Sequence, residues 1–436
     1  MGQTPTGDAV TESAAWSTLG TKVQIEKEAM ALRLLASEPV QRELHKLEAL
    51  YLSDPVAAMP GGRKTARAAA EAMAMNAVMA AVNKDVDRPA ITWGACAGHS
   101  WHGLSVPRSG IAIDNPDNVH RSIPIGGAAK YEISGKINFP RPAQETFILY
   151  ASRSMSTEEG VRENLEEAGM VSIDNLSIGA DGIFSITVDS SPADGRANHL
   201  QIPPGVERGN ILVRDALSNW AVQNPSQLEV RRVSGPTVLP ALDEEALAAL
   251  AAEHMLKTGH YWLAWHQRVF FTREVNTFTL NFARVSGWGF ARAGYFRIAD
   301  DEALVMTLER RDAAYLSLQV ADLWGPTVSY IERNGNLNQA QARPDADGAY
   351  TYVIAVDDPG VHNWLDPSGL SSGTFCARWQ GLPPGVSAED AVRTVKTVKL
   401  RDLKDALPPG ATWVTPEQRT AQLAERAATY ARRLQI

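Results

Sequence analysis

The sequence is poor in the features that usually announce a function. Only two of its 436 residues are cysteine, Cys96 and Cys376, and neither sits in a CxxC pair. That excludes a disulfide scaffold and a thiolate-rich metal site, and predicts two buried free thiols in a reducing cytoplasm. No stretch approaches the roughly eighteen consecutive apolar residues of a transmembrane helix, so no membrane partner is expected. The start, MGQTPTGDAVTESAAW, has neither the basic segment nor the apolar run of a signal peptide. It fits the myristoylation pattern only through Gly2 and Thr6, and the Ala- and Arg-rich composition is of a bacterial kind, where that modification is not expected. Lysine and arginine form no long run and the net charge is −8, which argues against nucleic acid as a partner. Walker A, GxGxxG, GxSxG, HExxH and EF-hand patterns are all missing, so no cofactor and no metal are expected.

What is present is a globular composition, with 44% hydrophobic and 21% charged residues, sufficient for a core without staples. Residues 12–84 read as helix, with a break at Pro60-Gly61-Gly62, Pro39 suited to a first turn, and an Ala/Met face over 63–85 that implies close helix packing. From about residue 90 the chain changes to short runs rich in Ile, Val, Thr and aromatics: AITWGAC, SGIAI, AKYEISGKI, ETFILYAS, IFSITVD, HLQIPP, GNILVRDA and LEVRRV. Gly, Pro, Asn and Asp punctuate them, the pattern of an all-β sandwich or barrel. The acidic STEEGVRENLEEAG (156–169) reads as a short helix within it. PALDEEALAALAAEHMLKTGHYWLAWHQRVFF (240–271) is a long helix with Asp243 as its cap. TFTLNFARV, AYLSLQVADLW, PTVSYIE and GAYTYVIAV mark a second β region, and Thr415 and Pro416 open a last helix.

These changes divide the chain into a helical N-terminal region (1–90), a first β module (91–238), a linking helix (239–275), a second β module (276–402) and a C-terminal helix (403–436). The predicted class is α+β, with two mainly antiparallel β-sandwich or jelly-roll-like modules and helices before, between and after them. No short-period repeat is visible.

DNPDNVHRSIPIGGAAKYEISGKI together with NHLQIPPGVERGNILVRDALSNW, and YTYVIAVDDPGVHNWLDPSGLSSGTFCARW further on, give the chain a partial resemblance. It resembles bacterial proteins built from domains of unknown function 1254 and 1214, over roughly 105–235 and 325–400. The resemblance implies two β-sandwich-like modules in one chain and supplies no chemistry.

Candidate site residues lie in four places. In DNPDNVHRS, Asp114 and Asp117 suit turns, while a carboxylate such as Asp117 orienting His120 beside Arg121 would make a general base near neutral pH. Arg214 alternates with Val213 in a strand and would need an acidic partner or an anionic ligand. Asp215 points to the other face and cannot serve. In GVHNWLDPSGLSSGTFCARW, His362 and Trp364 precede a turn built by Asp366, Pro367 and Gly369. Arg378 follows on the face of Thr374 and Cys376, and the expectation is one cavity shared by His362, Trp364 and Arg378 with His120 and Arg214. On the long helix, His260 and His266 lie about 240° and about 120° from His254, so the three cannot share a metal. His254 with Trp262 and Trp265 could instead wall a pocket for a flat ligand. His99 and His102 are three apart but lack a close HxH pair.

The set fits a cofactor-independent acid–base enzyme on a small aromatic or hydrophobic substrate, such as a carbon–carbon lyase of aromatic catabolism releasing formaldehyde from a lignin-derived dimer. The expected catalytic residues are His120, Arg121, Asp117, Arg214 and His362. Substrate binding would fall to Trp364, Arg378, His254, Trp262 and Trp265. A non-catalytic sugar or hydrophobic-metabolite binding protein and a metal-dependent hydrolase or oxygenase are the alternatives. A homo-oligomer is compatible with the sequence.

Overall fold

A computed structural model describes residues 17–152, 166–284 and 286–435. The fold is α+β. Helices α1 (Lys22–Leu35), α2 (Glu38–Ser53) and α3 (Gly62–Val82) form a layer with α4 (Glu244–His266), which runs on into a π-helical turn over Gln267–Phe271. The small-residue face of α3 lies in their shared core, where Ala66, Ala70, Ala74 and Val78 are fully buried. At Gly259 of α4 a Cβ would stand 2.4 Å from Leu47, so glycine permits the close crossing with α2. Asp243 caps α4 through the Ala246 N–H at 2.8 Å. A short helix, α5 (Leu403–Ala406), precedes α6 (Pro416–Ala431), which opens with a complete capping box at Thr415 and Gln418.

The first module pairs a five-stranded sheet with a four-stranded one. The five run β1 (Thr92–Gly94), β4 (Asn118–Gly126), β10 (Arg208–Ala216), β6 (Gln144–Ser152), β7 (Glu166–Ser172). The four run β11 (Gln227–Ser234), β5 (Lys130–Lys136), β8 (Ile183–Asp189), β9 (His199–Gln201). A hairpin of β2 (His99–Trp101) and β3 (Leu104–Val106) stands apart. The second module repeats the plan. Its five strands are β12 (Thr277–Ala283), β13 (Gly289–Arg297), β19 (Ser372–Gln380), β15 (Tyr315–Ala321) and β16 (Asn336–Asn338). Its four are β20 (Val392–Lys399), β14 (Glu302–Leu308), β17 (Tyr350–Ala355) and β18 (Trp364–Leu365). Each four-stranded sheet ends in a parallel pair, β8 with β9 and β17 with β18, and the other pairings are antiparallel. The chain is thus a tandem duplication in structure.

Alternation along the strands decides what each module buries. Ile211 and Val213 of β10 enter the first sandwich with Ile123 and Phe147. Phe375, Ala377 and Trp379 of β19 enter the second with Leu318. The intervening residues face outward, yet every residue of β19 is buried. Part of that outer face joins the helical core through Ala291, Ala293 and Cys376. The rest meets the first module through polar contacts, and the candidate site lies there.

Three expected elements differ. SGIAI (109–113) is not a strand: Ala112 and Ile113 take positive φ of 52° and 57°, and the Ile113 N–H is drawn to Gly325 O at 2.7 Å. PTVSYIE (326–332) makes one isolated bridge, Thr327 to Ala321. The helix expected over 156–169 lies mostly outside the described residues, and 166–169 belong to β7. Cys96 and Cys376 are buried free thiols. No described helix is long and apolar enough to cross a membrane.

Candidate functional site

Neighbours in sequence face opposite ways along a strand, and this separates residues that the sequence had grouped. Arg121 and Asp215 point into the first sandwich. The Arg121 guanidinium holds Asp215 through Nε and Nη2, with Nη2 at 2.9 Å from both carboxylate oxygens, and donates from Nη1 to Ser226 O at 2.6 Å. Glu145 stands 3.8 Å from the same guanidinium, and burial with the nearby Asp215 pushes its pKa up to about 8. Arg121 is therefore committed to a buried ion pair and is not available to a ligand.

Asp117 is not the orienting acid of a His120 dyad. One carboxylate oxygen accepts from Trp220 Nε1 and Asn338 Nδ2, both at 2.8 Å. The other accepts from Tyr315 OH at 2.7 Å and Asn336 Nδ2 at 2.9 Å. With these four bonds the carboxylate is saturated, and it ties the first module to β15 and β16 of the second. Arg426 and Arg433 close this hub from the C-terminal end, each with its guanidinium against Trp220.

His120 and Arg214 share the outward face and are direct cross-strand partners, with Thr146 on the far side of Arg214. The second module has the same arrangement: Arg378 is flanked by Ala291 and Ser317. Arg214 and Arg378 each stand seventh in a nine-residue strand, so they are equivalent residues of the two repeats. Both strands carry glycine at the second position, and for one reason. A Cβ on Gly209 would stand 2.8 Å from Tyr150 O, and one on Gly373 2.4 Å from Ala321 O. A third cation joins from the loop before β13. Arg214 and Arg284 both lie on the Trp288 ring, 4.7 and 5.0 Å from its centroid. Gln144 Nε2 anchors this loop through Trp288 O at 2.7 Å, and Glu167 accepts from Ser286 N and Trp288 Nε1.

These three guanidiniums lack what buried arginines normally have. Among the described residues no carboxylate oxygen lies within 4.0 Å of Arg214, Arg284 or Arg378. Arg378 is held by neutral acceptors, Gln319 Oε1 and Ile113 O, and its Nε is unpaired. Arg214 Nε, Thr146 Oγ1, Asn118 Oδ1, Thr374 Oγ1 and His120 Nδ1 are also buried without partners. Burial, and then the opposing Arg284 and Arg378 charges, bring the Arg214 pKa down to about 10. Burial and Arg378 lower that of Arg284. Burial, Arg214, Arg378 and Arg433 hold His120 well below the ordinary histidine value, so its ring is neutral. Arg214, Arg284 and Tyr150 are half-buried, which leaves the layer open to solvent on that side. Unpaired cations and hydrogen-bonding groups with a neutral imidazole can bind an anion and exchange a proton with it.

The other expected residues lie elsewhere. His362 bonds Asn363 at 3.2 Å and faces Gln422 and Arg419 of α6. Trp364 lies on the opposite sheet of the second sandwich, donates to Ala355 O and sits under Arg419. Neither shares a site with Arg378, because β18 belongs to the four-stranded sheet and β19 to the five-stranded one. His254 is exposed and contacts Thr258 at 3.4 Å. Trp262 and Trp265 stack edge to face and pack on the helical core. They approach the arginine layer only through that cluster, which includes Cys376, two residues from Arg378. His266 is buried with both ring nitrogens unpaired, and burial lowers its pKa to about 4, so it is a neutral core residue. His99 donates to Glu28, at 3.3 Å, and to Ala97 O at 2.9 Å. Burial opposes its protonation, but the Cys96 and Glu28 bonds prevail and raise its pKa to about 10, so it is the cation of an ion pair and not a metal ligand. Among the described residues no group of three His, Cys, Asp or Glu could hold a metal ion. Arg284, Trp288, Thr146 and Gln319 belong to the site and were not singled out by sequence.

No family model matches the chain, and no curated protein matches it. Among solved structures it is similar to an uncharacterized protein from Burkholderia cenocepacia, with TM-score 0.65 and 23% identity over 85% of this chain and 99% of that one. That similarity concerns the fold. The VPA0106 protein from Vibrio parahaemolyticus is more distant, with TM-score 0.39 and 10% identity over 65% of this chain and 89% of its own.

Proposed function

We propose that the protein binds a small organic anion, a carboxylate with an apolar body, in the layer between its two β modules. The observation that carries this reading is the set of three guanidiniums, Arg214, Arg284 and Arg378, with no carboxylate within 4.0 Å among the described residues. One buried and two half-buried cations without a counter-charge carry a desolvation and repulsion cost, and an anionic ligand lowers it. The apolar body is favoured by Cys376, Ala291 and Phe282, which share the sheet face of Arg378. The test is calorimetry and thermal shift with a panel of aliphatic and aromatic carboxylates. A binder is expected, with loss of about tenfold or more in affinity on Arg214→Met or Arg284→Met. A panel without any binder, or binding indifferent to both substitutions, would overturn the proposal.

A second reading, acid–base turnover of the bound acid, is favoured by the neutral His120 ring: its Nδ1 is unpaired, its Nε2 lies 3.4 Å from the Asn118 amide, and with that amide turned so that the otherwise unpaired Oδ1 accepts from Nε2–H, Nδ1 is the free base. In a retro-aldol step that nitrogen takes the substrate hydroxyl proton and the alkoxide collapses to an aldehyde. The carbon–carbon bond breaks, and its electron pair is left as an enolate facing a guanidinium. This is the form in which a lyase of aromatic compounds would use the site. Under it, His120→Asn keeps binding and abolishes aldehyde release from carboxylated aromatic β-hydroxy compounds. Equal release by both proteins would remove it. The resemblance to proteins of the 1254 and 1214 type adds no activity to either reading.

A further inference from the structure

We infer that the ligand is a two-ended dianion, a dicarboxylate whose two acid groups are divided between the two repeats. This rests on the anion-binding reading above and names the class of anion. Two independent observations lead to it. The first is charge. Three guanidiniums stand close enough to oppose one another's charge. The buried acids there are occupied: Asp117 is saturated by four donors, Asp114 takes Thr327 N and Arg108, and Glu167 is occupied by Ser286 and Trp288. A single negative charge would leave most of the positive charge uncompensated.

The second is the duplication. Equivalent positions of the two repeats supply an arginine beside a hydroxyl, Arg214 with Thr146 and Arg378 with Ser317. The anion-binding unit therefore occurs twice, once on each facing sheet. The two units are not identical in what they leave free. In the second, the Ser317 hydroxyl donates to the Tyr315 oxygen at 2.6 Å, the Tyr315 proton being given to Asp117, and Arg378 is steadied by Gln319 and Ile113, so this unit is fixed in advance. In the first, Thr146 Oγ1, Arg214 Nε and His120 Nδ1 are all unpaired. One acid group would dock on the fixed Arg378 unit. The other would meet Arg214, Arg284, Thr146 and His120.

The experiment compares straight-chain dicarboxylates from succinate to suberate, and terephthalate, each with the monoacid of the same skeleton, by calorimetry on the full-length protein. Inorganic phosphate serves as a compact dianion. At least one diacid is expected to bind about tenfold tighter than its monoacid. Arg378→Met should erase that advantage, bringing each diacid to within about threefold of its own monoacid measured on the same variant, and Arg378→Lys should restore part of it. Equal affinities for every diacid and its monoacid would overturn the two-ended inference and leave anion binding standing. Phosphate binding as tightly as the best diacid, and displacing it, would also overturn it in favour of one compact site. Binding of none of these acids would instead overturn the anion site itself.

Discussion

Replacing Arg214 by methionine should make the ligand-free protein more stable, the reverse of what removal of a buried arginine usually does. Burial and the neighbouring Arg284 and Arg378 bring its pKa from the ordinary 12.5 down to about 10. At neutral pH the group is charged in both the folded and the unfolded chain, so the difference is a standing cost to the fold. Each pH unit of difference corresponds to about 1.4 kcal/mol, which bounds that cost at about 3.5 kcal/mol. Arg214 is only half-buried, and water screens part of the effect, leaving about 1–2 kcal/mol. Methionine keeps most of the apolar contact with Trp288 but forfeits a cation–π attraction of about 0.5–1 kcal/mol. A net gain of up to about 1 kcal/mol remains, seen as a rise of roughly 2–4 °C in Tm for a unit of one module's size. The assay is thermal unfolding at pH 7, with and without a binding carboxylate. The carboxylate should raise the Tm of the parent by more than that of the variant, the difference corresponding to the roughly tenfold loss of affinity. A fall in stability of about 3–5 kcal/mol in Arg214→Met, the signature of a broken buried ion pair, would refute the reasoning.

Arg121→Met provides the contrast: it strands Asp215 and should cost about 3–5 kcal/mol in denaturant unfolding, with carboxylate affinity in the surviving folded fraction unchanged. Glu145 keeps its proton in the fold up to about pH 8 but releases it near 4.5 when unfolded, so its contribution to stability is present at low pH and lost as the pH rises between these values. Glu145→Gln should therefore exceed the parent by on the order of 2 kcal/mol above pH 8, with the gap closing towards pH 5. His120 has the opposite sign: its depressed pKa costs stability as the pH falls below about 6.5. An anion beside it raises that pKa, so binding at pH 6 should take up protons. Calorimetry in two buffers of different ionisation enthalpy reads this uptake, and equal heats, or uptake surviving His120→Asn, would count against contact with the ligand. His362→Ala should leave carboxylate affinity within about twofold, and a larger loss would return the His362–Trp364 loop to the site.

The two β modules and the helices around them were legible because local patterns carry them. Alternation in GNILVRDA, the Asp243 cap and the Thr415–Pro416 start need no distant partner. That Arg214 and Asp215 face opposite ways was legible from alternation, and the same strand logic applied to His120 separates it from Arg121, but the acidic partner expected of Arg214 is not found among the described residues. What stayed hidden depends on residues far apart in sequence. Asp117 was read with His120, three positions on, but its four donors come from Trp220, Tyr315, Asn336 and Asn338. Arg284 and Trp288 join the layer from a loop with no motif. SGIAI has strand-like composition, yet Arg378 and Gly325 capture Ile113 as irregular backbone. The duplication escaped because RGNILVRDA and SGTFCARWQ share only the glycine and the arginine that the shared register requires.

Fusing two copies of one module in a single chain has a consequence for direction. Two separate identical copies, related by a symmetry axis, would present the same groups to both ends of a ligand and could not tell head from tail. Here the position of His120 in the first repeat is held by Ala291 in the second. The two halves therefore differ where a ligand would lie, and under the two-ended reading a bound molecule would find an imidazole at one end only. Only the end that reaches the first repeat can meet a proton acceptor, whatever its own symmetry.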